Sequence, residues 1–288
     1  MSKNVYLALA DQGKNAWWRY GVGIVLILAI WMIGTAFLTV PFQESGLLAP
    51  GSVVELALGL LTFGLLLLGI WLVTAWLHCR SFGSLIGPSG RLNSRRLLLG
   101  AGIWAGLLIL VALGNMIFMG VRYTFNANFL QYWPYLLVAL ALIPLQTSAE
   151  EFFFRGYLLQ GAGRLTNNWL VLSLLNGVLF TLPHLGNAEA EQNFLLSSLN
   201  WFLFGAGWTL ITLCSGSLDY ALGMHAINNL LLTVLFGYED GSLPAIAPFV
   251  TQGQITLYDI VTLFGALAAA YWFISRLESR SEKGAVNV

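Results

Sequence analysis

Long uninterrupted apolar runs constrain this chain more than any other feature, because about 20 residues without a charge match the hydrocarbon thickness of a bilayer. Eight such runs can be marked, at roughly 20–40, 53–78, 97–120, 131–161, 169–185, 194–213, 217–237 and 255–275. Within hydrocarbon every backbone N–H and C=O must be satisfied inside the structure, which excludes an open sheet edge. The expected fold is therefore all-α, a polytopic transmembrane helical bundle of about eight spans, and no strand pattern competes with it. Composition agrees: 58% of the 288 residues are hydrophobic and 9% are charged, against roughly 25% charged in a soluble domain.

The formal net charge is zero, so nothing points to a nucleic-acid partner, and information lies in where the charges sit. Lys3, Lys14, Arg19, Arg80, Arg91, Arg95, Arg96, Arg155, Arg164, Arg276, Arg280 and Lys283 fall at one set of span ends. Arg122 falls at the other, with Glu44, Glu55, Glu189, Glu191, Glu239 and Asp240. The positive-inside rule then places both termini in the cytoplasm, in a multi-pass protein expected in the cell membrane. The first 16 residues are too polar to be the start of a cleaved signal peptide, so the first span reads as an anchor. Cys79 and Cys214 lie at inner span ends with no metal or disulfide spacing and receive no role. With no repeat and no dividing linker, residues 1–288 read as one integral-membrane domain whose motif-bearing core covers about 131–237.

Ionisable and amide side chains at membrane depth are costly and mark functional sites by default. Three clusters qualify: Glu150, Glu151 and Arg155 in "SAEEFFFRGYLLQ", His184 in "LFTLPHLGN", and His225, Asn228 and Asn229 in "GMHAINNLL". The remaining histidine, His78, reads as an interfacial residue at the inner end of the second span. Glu151 and Arg155 are four apart with the acid first, the favourable direction for an ion pair on one helix face. Glu150 projects about 100° away and lacks that partner. His225 and Asn229 share a face, and Asn228 falls off it. If the fourth and fifth spans form a hairpin turning near residues 162–168, Glu150 and His184 lie roughly 18 and 24 Å from the turn, close enough in depth to meet. Pro183 tends to kink or end its helix and so to open space beside His184. Each cluster alone has a packing explanation, either a buried ion pair or a hydrogen bond gluing two helices. A free carboxylate, two imidazoles and an amide together exceed what packing requires.

These clusters, in this order, resemble the motifs of the CPBP intramembrane proteases, the CAAX-protease and bacteriocin-processing group that includes the type II CAAX prenyl endopeptidases. "EEFFFR" at 150–155, "FTLPH" at 180–184 and "HAINN" at 225–229 match Glu-Glu-x-x-x-Arg, Phe-x-x-x-His and His-x-x-x-Asn. The resemblance implies hydrolysis of peptide bonds in membrane-associated proteins or peptides. It puts Glu150 in the place of the general base and His184 in that of its partner on the attacking water. His225 and Asn229 take the place of the groups that stabilise the oxyanion, and Glu151 and Arg155 are supporting.

Elementary chemistry is consistent with that assignment. A desolvated carboxylate can act as a base, and donors aimed at a developing oxyanion are worth about 10² to 10³ in rate each. No cofactor is required, although Glu150, His184 and His225 also make a plausible zinc set with an open fourth position. Against the metal stand the missing His-Glu-x-x-His helix and Asn229, a poor zinc ligand. Two other classes stay open: a proton-coupled transporter using the same groups as a relay, and a non-catalytic scaffold that binds a membrane partner. Cleavage that stops on Glu150→Gln separates the enzyme from both.

Overall fold

The computed structural model describes residues 4–49, 51–127, 129–238, 247–251 and 255–286. Lys3, Glu239, Asp240 and most of the loop between Tyr238 and Gln254 lie outside the described residues, as does the side chain of Lys283. The long helices are α1 Trp17–Glu44, α2 Val53–Leu77, α3 Ser94–Phe118, α4 Phe129–Ala162, α5 Trp169–Gly186, α6 Phe194–Ser215, α7 Asp219–Val234 and α8 Leu257–Val286. Among the described residues, seven of them, all except α7, are long and apolar enough to cross a membrane.

The exception has a physical reason. At 16 residues, α7 is about 24 Å long, against a hydrocarbon core of about 30 Å. Its hydropathy continues into the chain that follows, which makes the run look longer than the helix. Every residue from Asp219 to His225 is buried, so this helix sits inside the bundle, where its polar side chains meet protein groups instead of lipid.

Glycine allows the helices around α7 to close up. A Cβ on Gly223 would stand 2.0 Å from the Leu97 carbonyl oxygen, and one on Gly100 would stand 2.6 Å from that of Tyr220. Only hydrogen at these positions lets the α3 and α7 backbones touch, as small residues do at membrane helix crossings. The α5–α6 crossing uses the same device, with a Cβ on Gly205 falling 2.7 Å from the Gly177 Cα.

Three short strands accompany the all-α bundle. β1 (Thr124–Phe125), β2 (Phe236–Tyr238) and β3 (Phe249–Thr251) form a sheet in the order β1-β3-β2, antiparallel for β1 with β3 and parallel for β3 with β2. They tie together the segments after α3 and α7, and strands this short carry no alternation to read.

The polar N-terminal segment is part of the core. Two short turns, Val5–Ala8 and Leu9–Gln12, bury Tyr6, Leu7, Leu9 and Ala10. Tyr6 donates its hydroxyl to the Leu85 carbonyl at 2.5 Å, and Asn4 Nδ2 donates to that of Leu213 at 3.0 Å. This return over the bundle end corrects the reading of His78 as interfacial. His78 is fully buried, with Nδ1 2.8 Å from the Lys14 carbonyl and Nε2 2.9 Å from the Tyr157 hydroxyl. Desolvation pushes its pKa down to about 4, so the neutral ring donates from Nδ1 to the carbonyl and accepts the tyrosine O–H at Nε2.

Candidate active site

The site begins on α4. Directly after Glu150 and Glu151 the helix widens into a π segment, Phe152–Leu158, a distortion that often accompanies functional positions. Arg155 lies inside it and still reaches back one turn: its Nη1 is 2.9 Å from Glu151 Oε1, and both side chains are 0% exposed. Its Nη2 donates to the Phe204 carbonyl at 3.1 Å, and its guanidinium lies 4.3 Å from the centre of the Phe180 ring. The cation is therefore held by a carboxylate, a carbonyl and an aromatic face.

Glu150 has different surroundings. Its Oε1 accepts from Gln146 Nε2 at 2.6 Å, one turn earlier on α4. Its Oε2 has no hydrogen-bond partner among the described residues and faces His225 Nε2 at 3.5 Å.

His225, on α7, is wedged between the two acids. Nδ1 donates to Glu151 Oε1 at 2.8 Å, which turns Nε2 toward Glu150. The Trp208 ring lies 4.6 Å away, centre to centre, and holds the imidazole plane. Glu151 thus serves two partners through one oxygen, Arg155 and His225.

His184 arrives from α5. The regular helix ends at Thr181 and tightens into a 3₁₀ turn, Leu182–Gly186, with Pro183 near its start. The turn brings His184 Nδ1 within 2.7 Å of the Phe180 carbonyl. A carbonyl can only accept, so Nδ1 carries the proton and Nε2 of the neutral ring is an acceptor. Phe180 and Trp201 flank the ring at 4.6 and 5.4 Å.

Asn229 shares the α7 face with His225. Its Nδ2 donates to Gln146 Oε1 at 3.2 Å, and its Oδ1 accepts from Asn228 Nδ2 at 3.0 Å. Asn228 Oδ1 in turn accepts from Trp104 Nε1 at 3.0 Å.

Glu150, His184, His225 and Asn229 all line one cavity of about 1050 Å³, together with Gln146 and Asn228. Glu151 and Arg155 do not line it and stand behind its wall. Much of the remaining lining is apolar, including Leu28, Trp31 and Phe63 from α1 and α2. The site residues that the motifs do not name are Gln146, Asn228 and Trp104. Gln146 stands four residues before Glu150 on one helix face, a spacing that could have flagged it.

Among the described residues no three His, Cys, Asp or Glu side chains are grouped as ligands. His225 and His184 each engage Nδ1 with an oxygen acceptor, an arrangement that suits a free or a metal-bound Nε2 equally.

Comparison with known proteins adds two findings. The family model described as "Type II CAAX prenyl endopeptidase Rce1-like" matches residues 129–231, from the start of α4 to the last part of α7. YyaK of Bacillus subtilis (strain 168), named only as an uncharacterized protein, is 30% identical over 292 residues, covering 94% of this chain and 97% of YyaK. No solved structure matches. A relative aligned along nearly the whole of both chains, with a family match on the helices that build the cavity, places this chain in the Rce1-like family of type II CAAX prenyl endopeptidases, a family of intramembrane CAAX-type proteases.

Proposed function

We propose that the cavity hydrolyses a peptide bond by metal-free, glutamate-assisted attack of water. The observation that supports this most is the position of Glu150: a buried carboxylate at the cavity wall with one oxygen held by Gln146 and the other without a hydrogen-bond partner beside His225, in a cavity that His184 also lines. A water placed between Glu150 Oε2 and His184 Nε2 gives one hydrogen to each acceptor. Glu150 takes its proton as the oxygen attacks the substrate carbonyl carbon.

The charge that develops on the carbonyl oxygen needs donors. Asn229 has a second N–H on Nδ2 beyond the one given to Gln146, and His225, if its ring carries a proton on both nitrogens, supplies a second donor from Nε2 while Nδ1 stays on Glu151. Glu150 then passes its proton to the departing nitrogen, the C–N bond breaks, and the carboxylate is regenerated. The substrate is a membrane protein or peptide, and the apolar lining suits a segment that arrives from the bilayer.

The test is cleavage of a membrane-inserted reporter peptide by the protein in liposomes, read by mass spectrometry. Prolonged chelation followed by removal of the chelator is expected to leave the rate intact, with substoichiometric zinc by elemental analysis. Activity lost on chelation and restored by stoichiometric zinc would replace this mechanism with a metal-dependent one.

The same reading places the basic helix ends and both termini in the cytoplasm of a cell-membrane protein. Cys79 is exposed at that end, with a left-handed backbone (φ 52°) that keeps it at a turn. In a Cys214→Ser background, a membrane-impermeant maleimide is expected to label Cys79 only after cells are permeabilised. Labelling in intact cells would reverse the orientation.

A further inference from the structure

We infer that Gln146 is a positioning residue of this site, a role resting on the hydrolytic reading above. Its carboxamide does two things at once. Nε2 donates to Glu150 Oε1 at 2.6 Å, and Oε1 accepts from Asn229 Nδ2 at 3.2 Å. The base on α4 and the oxyanion donor on α7 are thereby joined through one side chain. The chain continues from Asn229 to Asn228 at 3.0 Å and ends on the indole N–H of Trp104 at 3.0 Å.

Direction follows from chemistry. Trp104 is donor-only, and Glu150 as a carboxylate is acceptor-only. Each amide between them therefore accepts from the Trp104 side and donates toward Glu150. That fixes the orientation of all three carboxamides: none can flip without setting like atoms against each other. Trp104 is fully buried on α3 and cannot turn away. The network has two consequences. It holds Glu150 Oε1, leaving Oε2 as the oxygen without a partner. It also fixes which face of the Asn229 amide carries the spare N–H. His225 and Arg155, which pair with Glu150 and Glu151, take no part in it.

Gln146→Met keeps the volume and removes both hydrogen bonds. A base and a donor free to wander by about 1 Å cost roughly 10²-fold in rate, so kcat is expected to fall by about that factor while KM stays at the wild-type value. Gln146→Asn, polar but one methylene too short to join both partners, is expected to behave alike. Rescue by Asn would mean that a polar side chain of any reach suffices, and would overturn the inference.

Trp104→Phe removes only the far end of the chain. It is expected to cost less than Gln146→Met and nothing further in the Gln146→Met background, because the links between are already broken. Full additivity would overturn the inference. The infrared carboxylate band of Glu150, assigned by difference against Glu150→Gln, is expected to shift in Gln146→Met. This readout needs no turnover and separates the two ideas. If Glu150→Gln cleaves like wild type, the hydrolytic reading fails, and the band still tests the positioning. If Glu150→Gln is inactive while Gln146→Met and Gln146→Asn keep wild-type kcat and an unshifted band, Gln146 has no such role.

Discussion

Glu150→Gln is expected to abolish reporter cleavage in a protein that still folds and still binds its substrate. The substitution is nearly isosteric, and the side-chain oxygen of the new glutamine can still accept the Gln146 N–H now received by Glu150 Oε1 at 2.6 Å. What disappears is the ability to take a proton from water. General-base catalysis contributes typically about 10² to 10⁴ in rate, and in the proposed mechanism the same group also returns the proton to the leaving nitrogen, so the loss should sit at or beyond the top of that range. Binding should change little, because in the proposed mechanism the carboxylate meets the substrate only through the attacking water. Melting temperature should also change little: among the described residues Glu150 forms no ion pair with an arginine or lysine, and its imidazole neighbour His225 stands 3.5 Å away. The measurement is kcat and KM for the purified protein, with substrate binding followed separately. Residual turnover within tenfold of wild type would remove Glu150 from the role of base.

Different physics decides what a sequence of this kind discloses. The spans of α1–α6 and α8 are legible because the bilayer imposes one length and one composition on each. The end of α7 is not, since Leu235 and Phe236 continue the hydropathy after the helix has stopped at Val234. Pairing of Glu151 with Arg155 can be read from their four-residue spacing, a local matter of helix geometry. The bond from His225 to Glu151 spans 74 residues and has no local signature, so His225 reads only as the neighbour of Asn229 on one helix face.

Asn228 shows the limit of face arguments. It does leave the face of His225 and Asn229, yet the direction it takes ends on Trp104 of α3 and returns to the site through Asn229. His78 fails for a further reason. Its burial depends on the segment around Lys14 folding back over the end of α2, and the polarity of that segment hides the four buried residues within it.

The last expectation separates the adjacent acids by stability. Glu151 and Arg155 are both fully buried, and one oxygen of Glu151 carries Arg155 at 2.9 Å and His225 at 2.8 Å. Replacing Glu151 by Gln leaves a guanidinium in the protein interior with a carbonyl and aromatic rings but no anion in contact. Breaking one side of a buried pair typically costs about 3 to 5 kcal/mol, a large part of the roughly 5 to 15 kcal/mol that holds a domain folded. Glu151→Gln should therefore express poorly or melt well below wild type, and Arg155→Ala should resemble it, since it strands the carboxylate instead. Removing both charges with Glu151→Gln/Arg155→Met should recover part of the lost stability, because an uncompensated charge is costlier than a neutral pair. It should not recover cleavage, since His225 would lose the carboxylate that anchors Nδ1. Melting temperatures of the four proteins in one detergent decide this. A Glu151→Gln variant as stable as wild type would show that the anion in contact with Arg155 is dispensable, and the division of labour between Glu150 and Glu151 would have to be redrawn.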